Sequence, residues 1–500
     1  MRLLIAGGGG FRVPLVYRAL SSGPFAGLVS ELVLFDVDPG RLDAIAAVLR
    51  AMPDGGTAAG GAMSDGGTHR SARPPAVRTT TSLPDALRGT DLVFAAIRPG
   101  GTAGRVADER VAQDLGLLGQ ETTGAGGISY ALRTIPEMLH LARQMRELCP
   151  DAWLINFTNP AGMVTEALVP VLGRKVIGIC DSAGGLVHRA ARAAGVSLPD
   201  GRLDGVGYYG LNHLGWLYRL ESGGRDLLPG LLADPAALAS FEEGRLFPQP
   251  FLADLGALPN EYLYYYYQRA GAAEAMRAMA VTRGESIHHQ QADLYPRLAS
   301  SGADAYRLWD AARRSREEGY LAEARTHGEQ RDEADLAGGG YERVALAVMR
   351  ALAGGADGGT AGGSSAGAGA TQLILNTPNT LPAAPAQTAA AADTPPEPAI
   401  PGLPADAVVE VPCTVTPDGA VPLPQSAPPA EKLALLRRVK EVERLTIRAA
   451  THGDRAAAVE AFSRHPLVDT PGLDAHRLGE ELLAGYERAF PALGAMWRQE

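Results

Sequence analysis

At 500 residues the chain has room for one large domain or two to three ordinary ones. A formal net charge of −10 and the lack of any dense Lys/Arg run argue against a nucleic-acid partner, and no stretch of about 18 apolar residues marks a membrane span. The three cysteines, Cys149, Cys180 and Cys413, are too few and too scattered for a disulfide framework and fit a reducing, cytoplasmic setting.

The N-terminal "MRLLIAGGGG" reads as a strand running straight into glycines, not as a signal peptide. "VPLVYRALSS" follows with helical spacing, then the strand "ELVLFDVD" and the helix "RLDAIAAVLRAM". "DLVFAAIRPG", "DAWLINFTNP" and "KVIGICD" are further strands with helices between them. Such alternation predicts an α/β fold, a parallel sheet with helices on both faces. Gly/Ala/Ser/Pro tracts at about 53–77, 354–370 and 380–404 bury little apolar area per ordered residue and read as flexible insertions. The short "TQLILN" between the last two reads as a strand. Downstream, "ALLRRVKEVERLTIRAATHG", "DRAAAVEAFSRHP" and "DAHRLGEELLAGYERAF" carry apolar residues three to four apart and predict helices.

The chemistry concentrates at strand ends. Gly7, Gly8, Gly9 and Gly10, with Phe11 and Arg12, stand between the first strand and the first helix. Glycines allow a close approach to a pyrophosphate, and a helix N-terminus supplies amide donors. Asp36 ends the second strand, where a carboxylate can accept from a ribose 2′-hydroxyl, which favours NAD over NADP. The spacing departs from G-x-G-x-x-G at Arg12, so a tight strand–helix turn of another α/β protein is the plain alternative. Cys180 and Asp181 end another strand. A thiolate suits a divalent transition metal and imidazole is its usual companion. His213 in "YYGLNHLGW" and the pair His288–His289 are the candidates. The plain readings are a small apolar filler, a structural hydrogen-bonder and a helix cap. "LPNEYLYYYYQ" places five tyrosines from Tyr262 to Tyr267, either packing a helix or offering one phenol as a base.

In order, "GGGGFRVP", "GQETTGAGGISYALRTIP", "NFTNPAG", "GICDS", "YYGLNHLGW", "LPNEYLYYYY" and "VVEVPC" resemble glycoside hydrolase family 4, the NAD- and divalent-metal-dependent glycosidases. The likeness spans nearly the whole chain outside the Gly/Ala/Pro tracts. It implies an NAD-binding Rossmann-type domain over residues 1–200. A mixed, mostly helical domain over 201–500 would carry substrate, metal and oligomer contacts. It also implies a mechanism outside the usual two-carboxylate scheme. NAD+ takes a hydride from C3, a base removes the acidified C2 proton, the aglycone leaves C1, water adds, and C3 is reduced again. A divalent metal such as Mn2+ polarises the C3 oxygen.

By the same resemblance Cys180 and His213 are metal ligands, Tyr262 is the base, and Asp181 is the acid that chiefly α-cleaving members use. Asn156 and Asn159 contact substrate, and Arg98 and Arg283 lie near the sugar and its phosphate. The expected substrate is a phosphorylated disaccharide or aryl glycoside, and the expected assembly a homodimer or homotetramer. The glycine opening and "DGAVPLP" resemble the 6-phospho-β-glucosidase branch; Asp181 points to the 6-phospho-α-glucosidases. A hydroxy-acid dehydrogenase would use the same glycine turn but not the Cys180/His213 pair. A non-catalytic NAD-binding regulator would have no reason to keep those two together with Tyr262.

Overall fold

The computed structural model describes residues 1–53, 73–199, 201–319, 340–354, 370–382, 397–469 and 472–497. Among them a single thirteen-stranded sheet is the spine of the molecule. Its parallel part is built from β1 (Arg2–Ala6), β2 (Glu31–Phe35), β3 (Ala76–Thr80), β4 (Leu92–Ala95), β5 (Trp153–Asn156) and β6 (Val176–Gly178). They lie in the order β3-β2-β1-β4-β5-β6, the order of a dinucleotide-binding Rossmann sheet.

The inner strands are largely apolar because both faces are covered. Leu3, Ile5, Leu32 and Leu34 feed one core, whereas Leu4, Ala6 and Val33 feed the other. That is the period-two alternation of a strand. The first core is filled by the helices Val13–Ser21, Pro39–Arg50 and Ser182–Ala193, through residues such as Val16, Ile45 and Leu186. The second is filled by the helix Ala125–Leu148 and by three helices from the far end of the chain, Ala430–His452, Arg455–Arg464 and Ala475–Ala489. All three terminal helices match their predicted stretches.

Beyond β6 the sheet continues antiparallel. The added strands include β7 (Val206–Leu211), β8 (Leu214–Ser222), β9 (Arg225–Asp226), β10 (Leu258–Pro259), β11 (Thr371–Pro378), β12 (Val408–Thr416) and β13 (Gly419–Pro422). Strand β11 pairs with β6, β12 with β11, and β7 with β12. The sheet therefore runs straight across the expected boundary at residue 200, and the terminal helices pack back on the N-terminal half.

Two further expectations are adjusted and one is met. The polar edge strand β3 had no apolar run to announce it, so the insertion placed at 53–77 overran its first residues. "TQLILN" is indeed a strand, β11. The segment placed at 380–404 is packed at its end: Ala399, Ile400 and Leu403 are buried, and the Asn379 amide donates to the carbonyls of Ile400, Leu403 and Pro404. The tracts 54–72, 355–369 and 383–396 lie outside the described residues.

The glycine turn is fixed by sterics. Gly7 has φ +92°, and a Cβ there would stand 2.5 Å from the Ala96 carbonyl oxygen. A Cβ on Gly8 would meet Leu34 Cα and Cβ at 2.7 Å. Leu34 is held inside the sheet and cannot retreat, so Gly8→Ala is expected to cost about 1–3 kcal/mol of stability. Urea unfolding checks this; an unchanged midpoint would mean the turn can open without cost.

Candidate active site

The turn after β1 presents its amides in series. Gly7 and Gly8 N–H both donate to the Phe35 carbonyl, at 2.9 and 2.7 Å, and Gly10 N–H donates to Gly7 O at 2.8 Å. Asp36 accepts from Gly9 N–H at 3.0 Å through one carboxylate oxygen and from Asp38 N–H at 3.2 Å through the other. Arg12 is the N-cap of the helix Val13–Ser21 and uses no side-chain cap. A Cβ on Gly9 would lie 2.9 Å from Asp36 Oδ2. A bare glycine cradle, a helix start and a carboxylate at the second strand end together fit a dinucleotide.

Residues that the sequence reading did not single out hold this cradle from the other half of the chain. Tyr295 Oη donates to Gly9 O at 2.8 Å, Trp309 Nε1 to Phe11 O at 2.7 Å and Tyr341 Oη to Arg12 O at 3.0 Å. Each is a buried aromatic whose polar tip satisfies one turn carbonyl.

Cys180 and His213, 33 residues apart in sequence, meet with Sγ and Nε2 3.6 Å apart, both buried. Zinc-site bond lengths of about 2.3 Å to sulfur and about 2.0–2.1 Å to nitrogen put two ligands of one tetrahedral ion about 3.5 Å apart. Burial pushes the His213 imidazolium down to about 3, so the ring is the neutral, ligating form. Burial, then the charges of Glu410 and Asp181, push the Cys180 thiol upward. His213 Nδ1 meets Thr122 Oγ1 at 3.2 Å, which orients Nε2 toward the sulfur.

His213 is also the one non-glycine residue with positive φ, +63°, among the described residues. It forms the tight link between β7 and β8 with Asn212. Such a conformation is rare for a bulky side chain and marks functional sites. The donor set fits a divalent metal, though no group of three His, Cys, Asp or Glu side chains could hold one among the described residues. His288 instead pairs with Thr102 Oγ1 at 2.8 Å.

Tyr262 stacks flat on His213, with ring centroids 3.7 Å apart and 8° between planes. Asp181 is at the N-cap of the helix Ser182–Ala193 but makes no side-chain cap bond, which leaves its carboxylate for other work. Glu121 lies near His213 and is gripped by arginines, in an ion pair with Arg98 and another at 2.7 Å with Arg105. Burial would raise its carboxyl, but Arg105 and Arg98 outweigh that and hold it at about 2. Arg283 also acts on Glu121, while its guanidinium donates to the carbonyls of Gly319 and Arg316. Burial, then the charges of Arg12, Arg105 and Arg283, bring the Arg316 guanidinium down to about 9. Arg98, Arg105 and Arg283 thus gather around Glu121. Arg98 Nη1 and Arg316 Nη1 are buried without a hydrogen-bond partner among the described residues.

Asn156, expected to contact substrate, is turned inward. It is fully buried, its amide donates to Thr158 O, Ala161 O and Thr165 Oγ1, and its Oδ1 accepts from Thr158 N–H. These bonds tie the β5–helix turn together. Asn159 is partly exposed and accepts from Ala161 N–H at 3.3 Å, a donor it shares with Asn212.

Comparison with known proteins shows the family. The family 4 glycosyl hydrolase model matches residues 4–196, and that of the family's C-terminal domain matches residues 208–468. The Escherichia coli 6-phospho-beta-glucosidase is 27% identical over 98% of this chain and 96% of its own. A 6-phospho-alpha-glucosidase of Lacticaseibacillus paracasei is 31% identical over 53% of this chain and 59% of its own. The 6-phospho-beta-glucosidase of Thermotoga maritima, solved with manganese, NAD+ and glucose-6-phosphate, shares the fold at a TM-score of 0.72. It is 24% identical, with 98% of this chain and 99% of that chain covered. The chain belongs to the family 4 glycosyl hydrolases.

Proposed function

We propose that this protein hydrolyses 6-phospho-β-glucosides with NAD+ and a divalent metal such as Mn2+. The observation that carries the reading is the convergence of Cys180 Sγ, His213 Nε2 and the Tyr262 ring on one point beside the arginine cluster. Relatives of both anomeric kinds match, and 6-phospho-β-glucosidases align over nearly the whole chain.

When bound, NAD+ and the metal supply hydride exchange at C3 and polarisation of the C3 oxygen. The chain's own residues do the rest. Cys180 and His213 hold the metal, with Thr122 fixing the imidazole. The glycine cradle and Asp36 seat the dinucleotide. Tyr262, as its phenolate, would receive the C2 proton and become the phenol. Asp181 carries the proton for the leaving oxygen. Arg98 and Arg283 bind the 6-phosphate, and the unpartnered Arg98 Nη1 supports this, because a phosphate oxygen satisfies it. Asn159 adds a contact near the metal hairpin.

A second reading, the α-anomer, is favoured by one feature: a carboxylate directly after the metal cysteine that is not spent as a helix cap. Paired chromogenic 6-phospho-β- and 6-phospho-α-glucosides decide between them. The β-substrate is expected to be cleaved only with both Mn2+ and NAD+, without NADH accumulating, and the unphosphorylated sugar at least about tenfold more slowly. Cleavage of the α-substrate alone would replace the β-reading. Cleavage without NAD+ would overturn the mechanism.

A further inference from the structure

Glu410 is a buried carboxylate close enough to Cys180 for its charge to act on the thiol. It lies in β12 at the centre of a row that crosses the sheet, with Gly178 of β6, Asn376 of β11, Glu410 and Gly210 of β7 as successive register partners. Cys180 follows Gly178 by two residues and His213 follows Gly210 by three. The row therefore joins the two strands that deliver the metal ligands. Gly178 leaves room for its neighbour, since a Cβ there would meet Asn376 Cβ at 2.8 Å.

Glu410 is 1% exposed and accepts three hydrogen bonds: from Tyr208 Oη at 3.0 Å, Asn212 Nδ2 at 3.3 Å and Asn376 Nδ2 at 3.3 Å. All three donors are neutral, and no Lys, Arg or His side chain pairs with Glu410 among the described residues. Burial raises the Glu410 carboxyl to about 7; the hydrogen bonds from Tyr208, Asn212 and Asn376 oppose that, and the charge of Asp181 adds to it. A buried carboxylate without a cation is costly. Yet its environment is all donors, the arrangement an ionised carboxylate wants. Asn212 in turn immediately precedes His213, the strained residue of the hairpin.

We infer that Glu410 is a positioning residue for the metal site: its carboxylate anchors Asn212 and hence the His213 link, and it supplies the second negative charge that, with the Cys180 thiolate, balances a divalent cation. A neutral imidazole contributes no charge, so thiolate and carboxylate together match the ion in a low-dielectric interior. The inference rests on Cys180 and His213 being the metal ligands.

The test is Mn2+ binding to the purified full-length protein, read from the electron paramagnetic resonance signal of free Mn2+. NAD+ affinity and thermal unfolding are measured on the same samples. Glu410→Gln keeps the length but removes the charge and turns a donor toward three donors; it is expected to weaken Mn2+ binding about 10–100-fold with NAD+ affinity unchanged. Glu410→Asp keeps the charge but retracts it from its partners, and is expected to bind Mn2+ more tightly than Glu410→Gln. If Glu410 were only a scaffold, the shorter aspartate would be the worse of the two, and that order would overturn the charge role. Wild-type affinity in Glu410→Gln would overturn the inference altogether. Should Glu410→Gln fail to fold, Glu410→Asp still decides, because a loss beyond about tenfold would contradict a role carried by charge. His213→Ala serves as the reference. If it binds Mn2+ like the wild type, the ligand assignment itself is wrong; if it loses Mn2+ while Glu410→Gln does not, only the inference on Glu410 falls.

Discussion

A Cys180→Ser variant is expected to bind Mn2+ more than about 100-fold more weakly than the wild type and to lose glycosidase activity, while NAD+ still binds. Loss of an outer-shell partner typically costs about 10–100-fold in metal affinity, so loss of Cys180, the proposed direct ligand, should exceed that range. Serine is nearly isosteric, but its hydroxyl gives up no proton near neutral pH and is a poor donor to a transition metal. The described residues provide no third His, Cys, Asp or Glu beside the pair, so His213 alone remains. The proton count gives an independent check. Burial pushes the Cys180 thiol upward, so it is protonated before the metal arrives and must release that proton on binding. His213, pushed down to about 3 by burial, has none to release. Mn2+ affinity of the wild type should therefore rise about tenfold per pH unit between about pH 7.5 and pH 9. This slope of one should disappear in Cys180→Ser. A serine variant that binds Mn2+ with wild-type affinity, or a wild type whose affinity ignores pH, would remove Cys180 from the metal site.

How much of this was readable beforehand differs from residue to residue. Gly7 to Gly10 and Asp36 were legible because their chemistry is local: a strand, a turn and a helix start within a few residues of each other. Cys180 and His213 were not readable by spacing, because no short ligand pattern links positions 33 residues apart; only the family resemblance paired them. Their physical reason lies in the sheet, since β6 and β7 are joined through β11 and β12, which come nearly 200 residues later in the chain. Tyr295, Trp309 and Tyr341 were missed for the same cause. They sit on helices with ordinary amphipathic patterns, and nothing local shows that their polar tips reach the carbonyls of Gly9, Phe11 and Arg12. Glu410 lay in a quoted motif, "VVEVPC", but a single carboxylate in an apolar strand shows neither its three donors nor the metal strands on either side. Asn156 shows the opposite case. An asparagine before a helix can turn toward a ligand or toward its own backbone, and only the hydrogen bonds distinguish the two.

Replacing Tyr262 with phenylalanine should lower kcat by about 10²–10⁴-fold and leave Mn2+ and NAD+ affinities within a few-fold of the wild type. The substitution removes one oxygen and keeps the ring, so the flat stack on His213 at 3.7 Å is preserved. That separates the phenol's chemistry from its packing. A phenol is a weak base until a nearby cation stabilises its phenolate, and a metal held by the ring it stacks on would be that cation. If Tyr262 takes the C2 proton, two further results follow. Solvent deuterium should stop entering at C2 of the sugar, and the loss should fall on kcat rather than KM, because the interaction is made in the transition state. Unchanged exchange with a lowered kcat would move the base elsewhere and leave Tyr262 a lesser part. A variant that loses Mn2+ binding would show that the hydroxyl supports the metal hairpin instead. The neighbouring tyrosines provide the contrast. Tyr267 accepts from Trp216 Nε1 at 3.1 Å, whereas the ring stacked on His213 is that of Tyr262. Tyr267→Phe should therefore leave C2 exchange intact if the proton goes to Tyr262.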